Sequence, residues 1–250
     1  MSLDIGSTVS STFDRIASKA SIGVIGLLLG LLLVIGAGII AVGAAASVSP
    51  VLAAVAGVAV AAIYIAGAAS FMVGSLRAFD EENIEKEMFT ENIIWPFLRM
   101  TGSNIVLQAF IFIAVYLVLY PVLLAGMGSS LATGAEAPAL SSTGYAALAV
   151  STGIVIAVAL YVVSALSLSL PRISVNDKRL FQSLDESVQA TSGERARIIA
   201  AILPFAILLG AGVAALTYIG GALGGLIYTV SIAIGSLYWL ALLVELNERL

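Results

Sequence analysis

Asp80, Glu81, Glu82 and Glu85 crowd four carboxylates into six positions. Oxygen ligands of that kind could hold a hard divalent cation. Their spacing matches no closed calcium loop, and a run of acids is also how a solvated helix face reads. Ser187 and Thr191 offer hydroxyls, but a hydroxyl nucleophile needs a base beside it. The chain has no His and no Cys. That removes the commonest general base, the thiolate nucleophile, Cys-ligated zinc and disulfides. The expectation is therefore no catalytic residue, no cofactor and no metal, in a protein that is not an enzyme.

Gly220-Gly-Ala-Leu-Gly-Gly225 is glycine-rich, yet it lacks the Lys-Ser/Thr ending of a phosphate loop and lies in an apolar run. Polar side chains inside the apolar runs are Gln108, Tyr116, Tyr120, Ser151, Thr152, Tyr161, Tyr228 and Thr229. Each could line a cavity; interhelical hydrogen bonding or anchoring at the membrane interface is the plainer reading. No Asp, Glu, Lys or Arg falls within those runs, which argues against proton-coupled transport, voltage sensing and a retinal Schiff base.

The elements that must position these groups are membrane helices. Of 250 residues, 60% are hydrophobic and 10% charged, whereas soluble domains average about 45–50% and about 25%. Mean hydropathy is +1.11. This composition predicts an all-α integral membrane bundle occupying 1–250 as one domain. A span needs about 20 apolar residues, and six are expected at 20–46, 51–76, 104–127, 145–170, 198–217 and 222–244. Ser47-Val-Ser-Pro50 separates the first two. The first run is too long for the apolar region of a signal peptide. The turn between the last two is placed at Tyr218-Ile-Gly-Gly221, although Gly210 and Gly212 could also break the helix.

All eleven basic residues fall on one side of this layout, and so do fourteen of the fifteen acids, Glu136 being the exception. The positive-inside rule makes that side, with both termini, cytoplasmic in a cell membrane. Net charge is −4, with eight Arg, three Lys and no basic cluster, so nucleic acid is not an expected partner. The acid excess with few Lys would suit a salt-loaded cytoplasm.

The chain reads as three modules, 1–76, 77–170 and 171–250, each a charged segment followed by a two-span hairpin. The charged segments look amphipathic. Ile5, Val9, Phe13 and Ile16 recur at helical spacing in the first. Ile84, Met88 and Trp95 share a face in the second. Leu180, Leu184 and Val188 form a stripe in the third, with Asn176 as N-cap and Gly193 as the stop. Such stripes either enter the membrane interface or pack on the bundle, and packing is favoured. Gly26/Gly30, Gly220/Gly224 and Gly221/Gly225 have GxxxG spacing, read as helix packing within the chain or at a dimer face. Pro121 and Pro204 are expected to kink their helices.

Asn176-Asp177, Leu180-Phe-Gln-Ser-Leu184 and Ser187-x-x-x-Thr191-x-Gly193-x-Arg195-x-Arg197 together resemble a haloarchaeal family of multi-pass membrane proteins without an assigned activity. That family is distantly similar to the membrane domain of some bacterial glycerophosphodiester phosphodiesterases. Leu3-Asp-Ile-Gly6, Phe13-Asp-Arg15 and Ile84-Glu-Lys-Glu-Met-Phe89 are also similar. The resemblance implies six spans and no established activity. It points to Asp177, Ser187, Gly193 and Arg195 as positions of any shared cytoplasmic role, against a plainer reading as caps and interface anchors. The expected function is the organisation of membrane lipids, or of membrane-protein or cytoplasmic partners, by the cytoplasmic face, with homo-oligomerisation possible. The alternative is the permease subunit of an ATP-driven transporter.

Overall fold

The computed structural model describes residues 3–133 and 142–250, and side chains throughout these except at 32, 35, 123–133, 142–144 and 222. Ten α-helices follow in order among the described residues, without a strand. They are α1 (Ile5–Ile16), α2 (Lys19–Val48), α3 (Pro50–Glu81), α4 (Lys86–Thr90), α5 (Ile94–Thr133), α6 (Ser142–Leu166), α7 (Ser169–Ser174), α8 (Leu180–Ala190), α9 (Arg195–Ala214) and α10 (Gly221–Arg249). Six apolar stretches along these helices are long enough to cross a membrane. The protein is an all-α, multi-pass membrane bundle.

The spans pair as three antiparallel hairpins, α2 on α3, α5 on α6 and α9 on α10. Local chemistry explains the tight turns. Ser49 is the one extended residue between α2 and α3, its hydroxyl accepts from the Val51 N–H at 3.2 Å, and Pro50 opens α3 where its missing N–H costs nothing. Gly220 and Gly221 take φ of +64° and +56° between α9 and α10, a conformation glycine adopts without strain. Just before them α9 widens into a π turn over Ala215–Ile219. Gly210 and Gly212 lie inside α9 rather than at its end. Glu136 falls outside the described residues.

Several boundaries differ from the sequence reading. α5 starts at Ile94, ten residues before 104, because a helix continues past the charge-free run and Arg99 is itself a good helix former. α3 likewise runs through Arg77 and Asp80, so the module boundary at 76 is not a break in the helix. The fourth span is interrupted at Ser167–Leu168, between α6 and α7. The charged segment after α3 is not one amphipathic helix. Glu82 turns left-handed at φ +51° and ends α3. Met88 and Phe89 of α4 are buried, Trp95 belongs to α5 and is exposed, and the expected Ile84/Met88/Trp95 face does not form.

The core lies at the charged ends of the hairpins. One cluster joins Ala20, Val24, Leu76, Phe79, Met100 and Leu243. A second joins Leu168, Ile198, Ile202, Tyr238 and Leu246. Away from that end, Ile40, Val58, Phe112, Ile156, Ile207 and Leu226 are exposed on all three hairpins. Apolar surface this extensive is what lipid, rather than water, covers.

Glycine spacing did not identify the close contacts. A Cβ on Gly26 or Gly30 would meet nothing within 4 Å, and both line a cleft shared with Ile63 and Gly67 of α3; Gly225 is equally open. Gly220 serves the turn. Gly224 alone of the GxxxG residues touches backbone: a Cβ there would lie 2.7 Å from the Ala215 carbonyl oxygen. Gly23 against Ile84, Gly38 against Val60, Gly67 against Leu31, Gly74 against the Phe89 ring, Gly102 against Leu180 and Gly212 against Ser231 are tight positions that GxxxG spacing missed.

Candidate functional site

Two short helices, α1 and α8, lie across the charged end, and both turn a hydroxyl-bearing face inward. In α1 the buried residues are Thr8, Thr12 and Arg15, while Ile5 and Phe13 are exposed. In α8 they are Ser183 and Ser187, followed by Thr191, while Phe181 and Val188 are exposed. The favoured expectation, that the apolar stripes pack on the bundle, holds for Val9, Ile16 and Leu180 and for Phe13, whose ring lies 5.3 Å from that of Tyr238, while Ile5 and Val188 stay outside the contact. Val9 and Ile16 are half-buried against the second core cluster, but the stripe as a whole straddles the edge of the contact.

Buried hydroxyls need partners. Thr8 and Thr12 donate to carbonyls one turn back, Asp4 at 2.7 Å and Thr8 at 2.8 Å. Ser187 instead donates across elements to the Ala165 carbonyl on α6 at 2.7 Å. Thr191 donates to the Ser187 carbonyl at 2.8 Å. Ser187 is thus a fully buried clamp between α8 and α6.

Arg15 is the charged centre of the site. Its Nε donates to Glu245 at 2.9 Å and its Nη1 to the Phe79 carbonyl at 2.7 Å. Its Nη2 donates to Glu248. Arg15 and Glu245 are 8% and 5% exposed, so this is a buried ion pair that joins α1, α3 and α10. Burial alone would lower the Arg15 pKa, but the hydrogen bonds to Glu245 and Glu248 outweigh it and hold it above its ordinary value. Arg249 pairs with Glu245 from the next turn of α10 and donates to Ser7 and Ser11 at 2.9 and 3.0 Å. Ser7, Ser11 and Arg15 stand one turn apart on α1, which explains why this face meets α10.

Other charges tie the remaining hairpins together. Arg77 of α3 donates to the Ser174 carbonyl at 3.1 Å and the Glu91 carbonyl at 2.8 Å. Glu194 accepts from Arg197 at 2.8 Å and from the Leu3 N–H at 3.2 Å. The Arg197 hydrogen bond leads in holding the Glu194 pKa below its ordinary value, against desolvation and with help from Leu3. On α8, Gln182 and then Lys178 do the same for Glu186.

The four motif residues separate into two places. Ser187, Gly193 and Arg195 line the passage from α8 into α9. Gly193 takes φ +87°. Arg195 donates to the Tyr161 hydroxyl and its guanidinium carbon lies 4.5 Å from the Tyr161 ring centre, a cation–π contact. Arg195 is therefore turned onto α6 rather than free at the headgroups. Asp177 lies elsewhere, at φ +50°, accepting from Arg99 at 2.7 Å. Asn176 does not cap α8, which starts at Leu180 after Arg179; its side-chain oxygen accepts from Asn247 at 3.4 Å.

Among the described residues no three acidic groups converge to hold a metal ion, Asp80, Glu81, Glu82 and Glu85 included. Sequence reasoning missed the pairing of Arg15 with Glu245. The available signal was Glu245 directly after the apolar run that ends at Val244, where a carboxylate requires a partner. No family model, curated protein or solved structure matches this chain.

Proposed function

We propose that the protein is a non-enzymatic organiser of the cytoplasmic face of the cell membrane, gathering lipid or protein partners through α1 and α8. The observation that carries this reading is the apolar edge that the two helices leave uncovered. Ile5, Phe181 and Val188 are exposed at the charged end of the bundle, and apolar edges of helices there insert into the membrane interface or meet a partner helix. The gathering of basic residues at this end supports a cytoplasmic placement by the positive-inside rule.

The test is co-purification of the tagged full-length protein from its native membranes in gentle detergent and high salt, with proteins and lipids identified by mass spectrometry. An enriched lipid class or membrane-protein partner, lost on Phe181→Ser with Phe13→Ser, is the expected result. A stoichiometric ATPase would overturn the organising role and make the chain a permease subunit. Orientation is checked by single cysteines placed at Ser10 and Tyr145, since the chain has none of its own. Labelling of Ser10→Cys from the cytoplasmic side and of Tyr145→Cys from the opposite side is expected.

A further inference from the structure

A cavity of about 470 Å³ opens between the second and third hairpins, walled by α5, α6, α9 and α10. Its body is apolar, with Phe205 and Trp239 in tilted contact at 5.5 Å along one side. Its polar groups are Ser103, Asn104, Ser167 and Ser169. Three of these are satisfied within the chain. The Ser103 and Ser169 hydroxyls lie 2.6 Å apart, Ser169 donates to the Leu166 carbonyl at 2.7 Å, and Ser167 donates to the Ser164 carbonyl at 3.3 Å. The Asn104 amide has no side-chain partner among the described residues. It stands five residues beyond Arg99 on α5, about 7.5 Å deeper at 1.5 Å per residue. Asn104 thus lies within the membrane-crossing stretch Ile94–Val122, where lipid chains offer an amide no hydrogen-bond partner. No lining residue is charged.

We propose that this cavity binds one molecule of an uncharged long-chain lipid, its head oxygen hydrogen-bonded to Asn104 and its chain lying along Phe205 and Trp239. Volume, apolar walls and one unpaired polar group match the anatomy of a small-molecule site. The absence of charge in the lining selects a neutral head, because a charged one would lose its hydration there without a counter-charge. The amide can donate to a hydroxyl or carbonyl oxygen and accept from a hydroxyl. This site is separate from the exposed edges of α1 and α8 and is tested independently of them.

Trp239 reports on the cavity, and Trp95→Phe leaves it the sole tryptophan. The full chain carrying that change is placed in phosphatidylcholine nanodiscs and titrated with stearyl alcohol brominated at mid-chain, which quenches indole fluorescence on contact. Saturable quenching at low mole fraction is expected. Asn104→Leu should weaken it about three- to tenfold, the loss of one hydrogen bond in a membrane. Ala206→Phe, which fills the cavity, should abolish the saturable component. A trimethylammonium probe with the same brominated tail should not produce it. Quenching that grows in proportion to probe without saturating would mean that bulk lipid fills the space and would overturn the proposal. Equal response to the charged probe, or an unchanged Asn104→Leu titration, would overturn it too. If Ala206→Phe fails to fold, Asn104→Leu and the probe pair decide.

Discussion

α1 and α8 do the same structural job by different means. Each lies across the charged end, each buries hydroxyls and each leaves an aromatic residue exposed. α1 is held by a buried guanidinium shared between Glu245, Glu248 and a carbonyl. α8 buries a neutral hydroxyl on the Ala165 carbonyl, with Leu180 on the core and Glu186 paired with Lys178 and Arg172 at the surface. A buried ion pair adds little net stability when complete, yet is costly when half is removed. A neutral hydrogen bond is modest in both respects. α1 is therefore the more breakable of the two.

The largest effect should come from Arg15→Met. It leaves Glu245 buried with only Arg249 beside it, and should lower stability by about 3 kcal/mol, the low end for a broken buried pair. Thermal unfolding in detergent reads this out. Adding Glu245→Leu should recover most of the loss, and failure to do so would show that Arg15 holds α1 mainly through Phe79 and Glu248.

Gly193→Ala should follow, at about 1–2 kcal/mol, because the exit from α8 needs φ +87° and a Cβ is strained there. The corresponding link after α1 is ordinary: Ala17 is αR and Ser18 extended. Ala17→Gly should thus cost only a few tenths of a kcal/mol, measured in the same assay.

Ser187→Ala should cost about 1 kcal/mol, since it leaves Ala165 with only the longer 3.4 Å contact from Thr191. Its effect should be independent of salt. Arg99→Ala should cost less than about 1 kcal/mol, because Asp177 is largely exposed. High salt should shrink that difference further.

The acid response should be the mildest, since it rests on two carboxylates with lowered pKa values, Glu194 beside α1 and Glu186 on α8. Glu194 has a lowered pKa, so its support for the folded state is complete above its ordinary value of 4.5 and lost as pH falls through the lower folded value. Hydrogen exchange should show the amides of Leu3–Ile5 losing protection there, with the α9–α10 hairpin unchanged. Glu194→Gln should remove the pH step while weakening the tether at neutral pH.

Much of the bundle was legible because its causes are local. Charge-free runs reveal spans, Ser49-Pro50 marks a turn, and Gly220-Gly221 supplies the backbone freedom that another requires. The helix starts were less legible: an apolar run that begins at 104 marks the stretch lipid can cover, whereas the helix itself begins at Ile94 and carries Arg99. The site was legible only in its parts. Arg15, Ser187 and Glu245 are visible in the sequence, but their partners lie on other elements, 230 residues away in the case of Arg15 and Glu245.

What the amino-acid sequence determined by itself is the count of spans, their pairing through short turns and the sidedness of charge, all consequences of transfer free energy and of hydrogen bonds made within a few residues. Only the tertiary structure decided which face of α1 and α8 turns inward. A periodic stripe records that a helix has two unlike faces, but at a membrane surface the apolar face has two acceptable neighbours, lipid and protein. Here Arg15 went to the buried Glu245 and Ser187 to the Ala165 carbonyl, with Val9, Ile16 and Leu180 against the core beside them and Ile5, Phe181 and Val188 outside.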